Sequence, residues 1–342
     1  KEIRGEVFVP RSNPLTTDLR YGSITLSDMK GELNILGTSN NLELGNCSNV
    51  HRVENDYGTS VLKSCGGDLA LSGTSSKVTI ESFKGPVVVD AKYSTIWLTG
   101  ITGGASVKSQ SGTVTAETIG GGLKIEADYS TISASNVDGI LTVEDKSGSI
   151  RVKNTKGLIV VAPYATIDAS DVSGKDVSVS TQSGSVTLER IKGNLVLDGP
   201  YSNIDMKDIR GHVNLRSKSS RITADAVEGD WKSSTEYSTL RLRGLHSNTV
   251  EITNKSNEVV VELRKVPERI DIRNEYGNVI VSLPGGFSGE VSLDAEYGQV
   301  ETDLPVRVRE RSSSAYATGY VGTGSGRISI ETKSGNIELL QK

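Results

Sequence analysis

The sequence predicts an all-β protein, a right-handed parallel β-solenoid (β-helix) built from 18-residue two-strand units. Three observations predict it. Tyr21, Tyr57, Tyr93 and Tyr129 stand 36 residues apart, and Tyr164, Tyr201 and Tyr237 keep that interval to within a residue. Midway between them lie Ser39, Ser75, Ser111, Ser147, Ser183, Ser219 and Ser256. After each Tyr or Ser, short apolar alternations and a glycine recur at fixed offsets. Such a unit cannot bury a core alone and does so by stacking on copies of itself.

The elements follow in order. Gly5, Val7 and Val9 read as the second half of a starting unit, followed by a proline-containing loop over 10–19. With the Tyr or Ser as position 0, positions 3 and 5 carry Ile24/Leu26, Val78/Ile80, Ile96/Leu98 and Ile132/Ala134. Two apolar residues around one polar residue are the signature of a short, half-buried strand. Position 8 is apolar (Met29, Phe83, Ile101), and position 10 is usually glycine (Gly31, Gly67, Gly85, Gly103). Glycine there permits a corner that a Cβ obstructs. A second strand follows at positions 12 and 14, as in Leu69/Leu71 and Val87/Val89. No stretch has helical apolar spacing with a capping box. Parallel crossovers favour a right-handed coil.

The turn can hold 18 residues or 36. Ladders of like side chains favour Tyr above Tyr, hence a 36-residue turn of four strands with rings 36 residues apart as nearest neighbours. Cys47 and Cys65 both fall at position 8. In a 36-residue turn they lie on opposite halves of a coil and act as small buried hydrophobes. In an 18-residue turn they stack about 4.8 Å apart, inside bridging range.

Two regions are expected: a regular solenoid with its starting unit over 1–262, and irregular units with a cap continuing it over 263–342. Insertions fall near 264–267 and 283–286, and Tyr276 is followed by Tyr297 with no serine unit between. Residues 305–326 are irregular, with Arg307, Arg309 and Arg311 alternating, before the repeat resumes at 327–339. A solenoid needs atypical terminal units to stop end-to-end stacking.

The C-terminal third carries recognisable wording. Glu275-Tyr-Gly-Asn-Val-Ile-Val-Ser-Leu-Pro and Glu296-Tyr-Gly-Gln-Val-Glu-Thr-Asp-Leu-Pro precede Ser334-Gly-Asn-Ile-Glu-Leu. This resembles the bacterial adhesin-like family of β-strand-repeat proteins, a domain of unknown function related to the head GIN domain. The resemblance implies a right-handed β-helix on an exported, cell-envelope protein, and it assigns no catalytic residues.

Charge and chemistry narrow the function. The net charge is −4, with both signs interspersed, so no basic stripe follows a nucleic-acid backbone. The longest apolar runs, such as 158–162, fall far short of the roughly 18 residues a membrane helix needs. The chain begins at Lys1 rather than Met and carries no signal segment, which predicts a processed or trimmed product, and the resemblance implies export to the periplasm, outer-membrane surface or extracellular space. His51, expected inward at position 12, His212 and His246 lie in different units without metal-ligand spacing, and no metal or cofactor is expected. Asp168, Asp205 and Glu43 fall at outward position 4 among threonines, where solvated strand faces account for them. No enzyme is expected.

The remaining candidates are contact residues. Trp97 falls at outward position 4, where a large aromatic needs a reason. Tyr93 and Tyr129 belong to the tyrosine row, whose rings can stack on each other or on sugars. Val88, Val160 and Val196 fall at outward position 13, where β-propensity on a solvated sheet is the favoured reading and a partner-binding stripe interrupted by Lys124 the alternative, while Trp231 is expected in the core. The sequence thus predicts a non-enzymatic exported solenoid serving as an adhesive or structural surface toward a cell-surface glycan or protein. The alternative is a carbohydrate-binding module using the exposed aromatics, and the least favoured is a polysaccharide-active β-helix enzyme.

Overall fold

A computed structural model describes residues 8–342, so Gly5 and Val7 lie outside the described residues. Among the described residues every regular element is a strand. The chain divides into two compact units, 1–156 and 157–342. In each, short strands stack in parallel as the coils of a β-solenoid. Two strands per coil enter two different sheets, as with Val87–Lys92 and Thr95–Ile101.

The turn holds 18 residues, which overturns the expected 36. Ile96 pairs with Val78 on one side and Val114 on the other. Val107 likewise lies between Val89 and Ile125. Tyr57 N donates to Thr74 O at 2.8 Å, and Ser75 N to Lys92 O at 2.8 Å, so a serine rung separates Tyr57 from Tyr93. Like-on-like stacking does not set the turn, for a physical reason. It governs side chains that pack against one another in a dry interface. The tyrosines instead sit at a corner that splays them into solvent, where crowding between neighbouring rungs decides.

That corner has a backbone signature. Tyr21, Tyr57, Tyr93, Tyr129, Tyr201 and Tyr237 have φ between 50° and 58°, and Ser39, Ser75, Ser111 and Ser219 match them. A second left-handed corner lies seven residues on, at Asp28, Asn46, Ser64, Ser82, Asn136, Asn154 and Asp208. Asn and Asp are the side-chain-bearing residues that tolerate this region best. The position-10 glycines do a different job. Gly67 (φ 132°) and Gly85 (φ 125°) occupy backbone that a side chain rarely adopts. A Cβ on Gly85 would also run into the Gly67 carbonyl of the coil beside it.

The core forms by stacking equivalent positions. Val78, Ile96, Val114 and Ile132 make one inward column, and Ile80, Leu98, Ala116 and Ala134 the next; all eight are buried. Ala116 and Ala134 share their coils with the larger Leu123 and Leu141, and Leu98 shares its coil with Ala105, all buried. Trp231 is buried as expected, its indole N–H donating to Ser233 Oγ at 3.1 Å.

One buried column is partly polar. Asn55, Ser109 and Asp145 share it with Gly73, Ala91 and Ala127 in the first unit, and Thr181, Ser217, Thr235, Asn254, Asn274 and Thr332 contribute to it in the second. Asn55 shows how it works. Its amide donates to Asn40 O (3.0 Å) and Ser60 Oγ (3.1 Å), while its oxygen accepts from Asn40 N (3.1 Å). Corner backbone groups that the strand ladder leaves over are thereby satisfied.

Two sequence expectations about orientation are corrected. Leu33 pairs with Val50 and Asn34 with Arg52, which makes His51 the extra residue of a bulge. It is therefore half-buried rather than inward, with Nε2 2.8 Å from Asn49 Oδ1. Val160, expected outward, is fully buried and pairs with Val179. The unit leading to Tyr164 is one residue short, so Leu158, Val160 and Ala162 turn inward and Ile159 and Val161 outward.

The C-terminal coils break chain order. The strand Arg269–Tyr276 pairs with Gly326–Ser334, which pairs in turn with Gly289–Tyr297. In the other sheet Ile337–Gln341 lies between Val279–Leu283 and Val300–Thr302. The final coil thus slides between two coils that precede it. The intervening hairpin, Arg307–Glu310 and Ala315–Val321, runs antiparallel along the outer edge of Gly289–Tyr297. It covers an edge that would otherwise template further strand pairing.

Candidate interaction surface

The predicted contact residues fall on different sides of the coil. Trp97 is half-buried on one sheet face, flanked on adjacent rungs by Thr79 and Thr115. Lys77 Nζ lies 5.2 Å from its ring centroid, a cation–π contact worth about 0.5–1 kcal/mol where solvent reaches it. Val88 lies on the opposite sheet, exposed between Ala70 and Ser106. Val196, exposed between Ser178 and Asn214, belongs to the second unit. With Val160 buried, no valine stripe forms.

Tyr93 and Tyr129 occupy the corner between the two sheets, two rungs apart. They belong to a row of exposed rings: Tyr21, Tyr57, Tyr93 and Tyr129 in the first unit, and Tyr164, Tyr201, Tyr237, Tyr276 and Tyr297 in the second. Nine of the eleven tyrosines in the chain therefore serve this one position. Two make side-chain contacts along the row. Tyr164 O–H donates to Gln182 Oε1 at 2.9 Å, and Lys255 Nζ sits 5.5 Å from the Tyr237 ring centroid.

Two shallow grooves open on the sheet faces. One, of about 470 Å³, is lined by Glu236, Lys255, Arg273, Glu275, Glu331 and Lys333 above the buried amides of Asn254 and Asn274. The other, of about 440 Å³, forms in the first unit beside the His51 bulge, where Ala70 and Ser72 lie between larger neighbours. Glu54 and Asp90 flank Ser72 there, two rungs apart, and Arg52 engages Glu54. Two rungs are about 9.6 Å. Asp168 and Asp205 flank Thr187 in the same way on an open strand face.

The stacked pair Cys47 and Cys65 sits inside the first unit. Both are buried and free, in adjacent coils joined by Gly66 N donating to Cys47 O at 2.8 Å. Each thiol also reaches the carbonyl two residues before it, Gly45 O and Lys63 O, both at 3.3 Å. The neighbouring Cys65 side chain lowers the Cys47 thiol to about 7 against the effect of burial. The Cys47 side chain, with burial adding to it, raises the Cys65 thiol. The sequence had set this pair on opposite halves of one coil; the 18-residue turn brings the two together.

Asp145 is the outlier of the buried polar column. It is 3% exposed, and among the described residues neither carboxylate oxygen closes a hydrogen bond of ordinary geometry. Burial pushes its carboxyl up to about 6, against the pull of the backbone N–H groups of Ser147, Ser130 and Tyr129.

Sequence reasoning missed the left-handed corners. Their signal is the recurrence of Asp, Asn or Ser at position 7 beside the Tyr/Ser beat. No described helix is long and apolar enough to cross a membrane, and no group of three or more metal-ligating side chains was found among the described residues.

No curated protein and no solved structure matches the chain. Residues 131–340 match the model of the Toastrack DUF4097 family. That span covers most of the chain, including the irregular C-terminal coils, and on it the chain belongs to the Toastrack family, a domain of unknown function.

Proposed function

We propose that this chain is a non-enzymatic, exported cell-envelope solenoid whose faces act as an adhesive or structural interaction surface. The observation that supports it is where the aromatics go. The inward columns are built largely from aliphatic residues, while nine tyrosines are held outward at one corner with 44–82% of their surface exposed. A stacked ladder holds them at fixed intervals, which suits recognition of an extended partner more than of a small molecule. Binding of the purified chain to intact cell envelopes, compared with a Tyr57→Asn/Tyr93→Asn double variant, tests this. Binding that is equal for the two proteins removes the aromatic corner from the interaction.

A second reading is a carbohydrate-binding module using Trp97, Tyr93 and Tyr129. The outward indole of Trp97 favours it, because a large aromatic on a solvated strand face is uncommon without a partner. A glycan array probed with wild type and Trp97→Ala tests it. Absence of any binding at high protein concentration sinks the carbohydrate reading and leaves the first in place.

A further inference from the structure

We infer that the tyrosine column is a binding track for an extended, uncharged, β-linked polysaccharide that repeats every two sugars. The inference rests on the carbohydrate reading above and moves its centre from Trp97 to the corner.

The spacing is the first argument. Tyr57, Ser75 and Tyr93 occupy successive rungs, so the rings recur every two rungs, about 9.6 Å. In an extended β-linked chain each sugar is turned over relative to the last. Every second sugar therefore offers the same C–H face, at an interval of about two rungs. Rings at that interval stack on alternate sugars. The sugars between them fall over the exposed hydroxyls of Ser75 and Ser111.

The second argument is that the alternation survives where the sequence breaks it. Tyr276 and Tyr297 follow each other along the chain without a serine unit between them. In space, Ser334 of the final coil pairs with both, and Ser256 pairs with Tyr276 on its other side. The order across the sheet is Ser256, Tyr276, Ser334, Tyr297. The rearranged topology thus keeps the rings two rungs apart.

The third argument is strain without a packing return. Six of the nine tyrosines are held at φ of 50–58°, a region that disfavours side chains by about 1–2 kcal/mol per residue. Their rings remain about half exposed or more, so little burial offsets that cost.

Charge selects the ligand class. Arg20, Asp56, Lys92 and Asp128 immediately precede the four tyrosines of the first unit and sum to zero. A polyanion gains nothing along such a track, whereas a neutral glycan loses nothing.

The test is calorimetric titration of the whole chain with chito-oligosaccharides and cello-oligosaccharides of increasing length, with malto-oligosaccharides as the curved control. Affinity is expected to rise in steps of two sugars for an extended series and not for the control. Tyr57→Asn/Tyr93→Asn should weaken binding by about tenfold per ring, while Tyr57→Phe/Tyr93→Phe retains it. Asn tolerates the left-handed corner, and a melting curve that does not fall separates lost contact from lost fold. Affinity that grows sugar by sugar, or survives removal of both rings, overturns the track. Binding abolished only by Trp97→Ala overturns it too, while leaving the carbohydrate reading standing. If none of these oligosaccharides binds at millimolar concentration, both fall.

Discussion

In the first unit, neighbours in space are neighbours in sequence: each coil pairs with the one 18 residues on, as Ile96 does with Val114. At the C-terminal end that rule fails, because Gly326–Ser334 separates Arg269–Tyr276 from Gly289–Tyr297. The inward chemistry is nevertheless the same. Ile270, Ile328 and Val291 stack as one buried column, and Ile272, Ile330 and Leu293 as the next. A coil is thus specified by its inward pattern and its corner residue, and chain order is only the usual way of supplying the next one.

The largest expected effect tests whether the inserted coil holds its neighbours together. Ile330→Asp places a charge at a fully buried site between two coils. Ile125→Asp does the same in the first unit, between Val107 and Val143. Each should cost about 4 kcal/mol or more. Hydrogen exchange should separate them. Ile330→Asp should expose the amides of Gly289–Tyr297 and of the 307–321 hairpin together, because the inserted coil ties both to Arg269–Tyr276. Ile125→Asp should loosen only nearby coils of its own unit. Continued protection of Gly289–Tyr297 in the first variant would show that it does not depend on the inserted coil.

The cysteine pair probes the regular end. Thiol–disulfide exchange with a small disulfide would join Cys47 to Cys65 and release two small thiols, closing a loop that spans one coil. A bridge of that length stabilises by about 3 kcal/mol. The urea midpoint should rise on oxidation and return on reduction, and Cys65→Ala should remove the effect. Should both thiols still be alkylated after oxidation and denaturation, the side chains do not meet in bonding geometry.

Asn55 and Asp145 sharpen the comparison within one buried column. The amide donates and accepts among corner backbone groups, whereas the carboxylate can only accept and closes no hydrogen bond of ordinary geometry. Burial holds the Asp145 carboxyl at about 6 in the fold, against 3.8 for a solvated aspartate. Ionisation is therefore easier in the unfolded chain. Native stability from this site is greatest below about pH 4, falls as pH rises toward 6 and is level above. Asp145→Asn should gain on the order of 2 kcal/mol at neutral pH and flatten that slope. Chemical denaturation across pH 3–8 measures both, and an unchanged slope would assign the pH dependence elsewhere.

Much of this was legible in the sequence, and the failures share a cause. The strand pairs, the buried Trp231 and the outward Trp97 follow from local alternation, which is a property of a few residues at a time. Turn size does not. Two rungs of 18 and one of 36 give the same periodicity, and only the pairing partner distinguishes them. Val160 was misplaced because a single missing residue before Tyr164 exchanges the two faces of a strand. The slot of the final coil was unreadable for a similar reason. The missing serine unit between Tyr276 and Tyr297 was visible, but nothing local says that Ser334 fills it.

The smallest expected effect separates the two kinds of tyrosine. Tyr93 has φ 54°, in the left-handed region. Tyr276 instead closes the strand Arg269–Tyr276, and the positive φ falls on the next residue, Gly277 (131°), and on Asn257 (83°) of the neighbouring rung. Asn relieves backbone strain only where the tyrosine itself bears it. Tyr93→Asn should therefore stabilise by about 0.5–1 kcal/mol, and Tyr276→Asn should not. The difference is within reach of paired denaturant titrations on otherwise identical chains. A gain at Tyr93 alone would mean that the corner is tuned for the ring and against stability, as expected of a position kept for contact. Equal responses would mean that the ring repays its own strain by packing on the serine rung, and the tyrosine row would then be a device of folding.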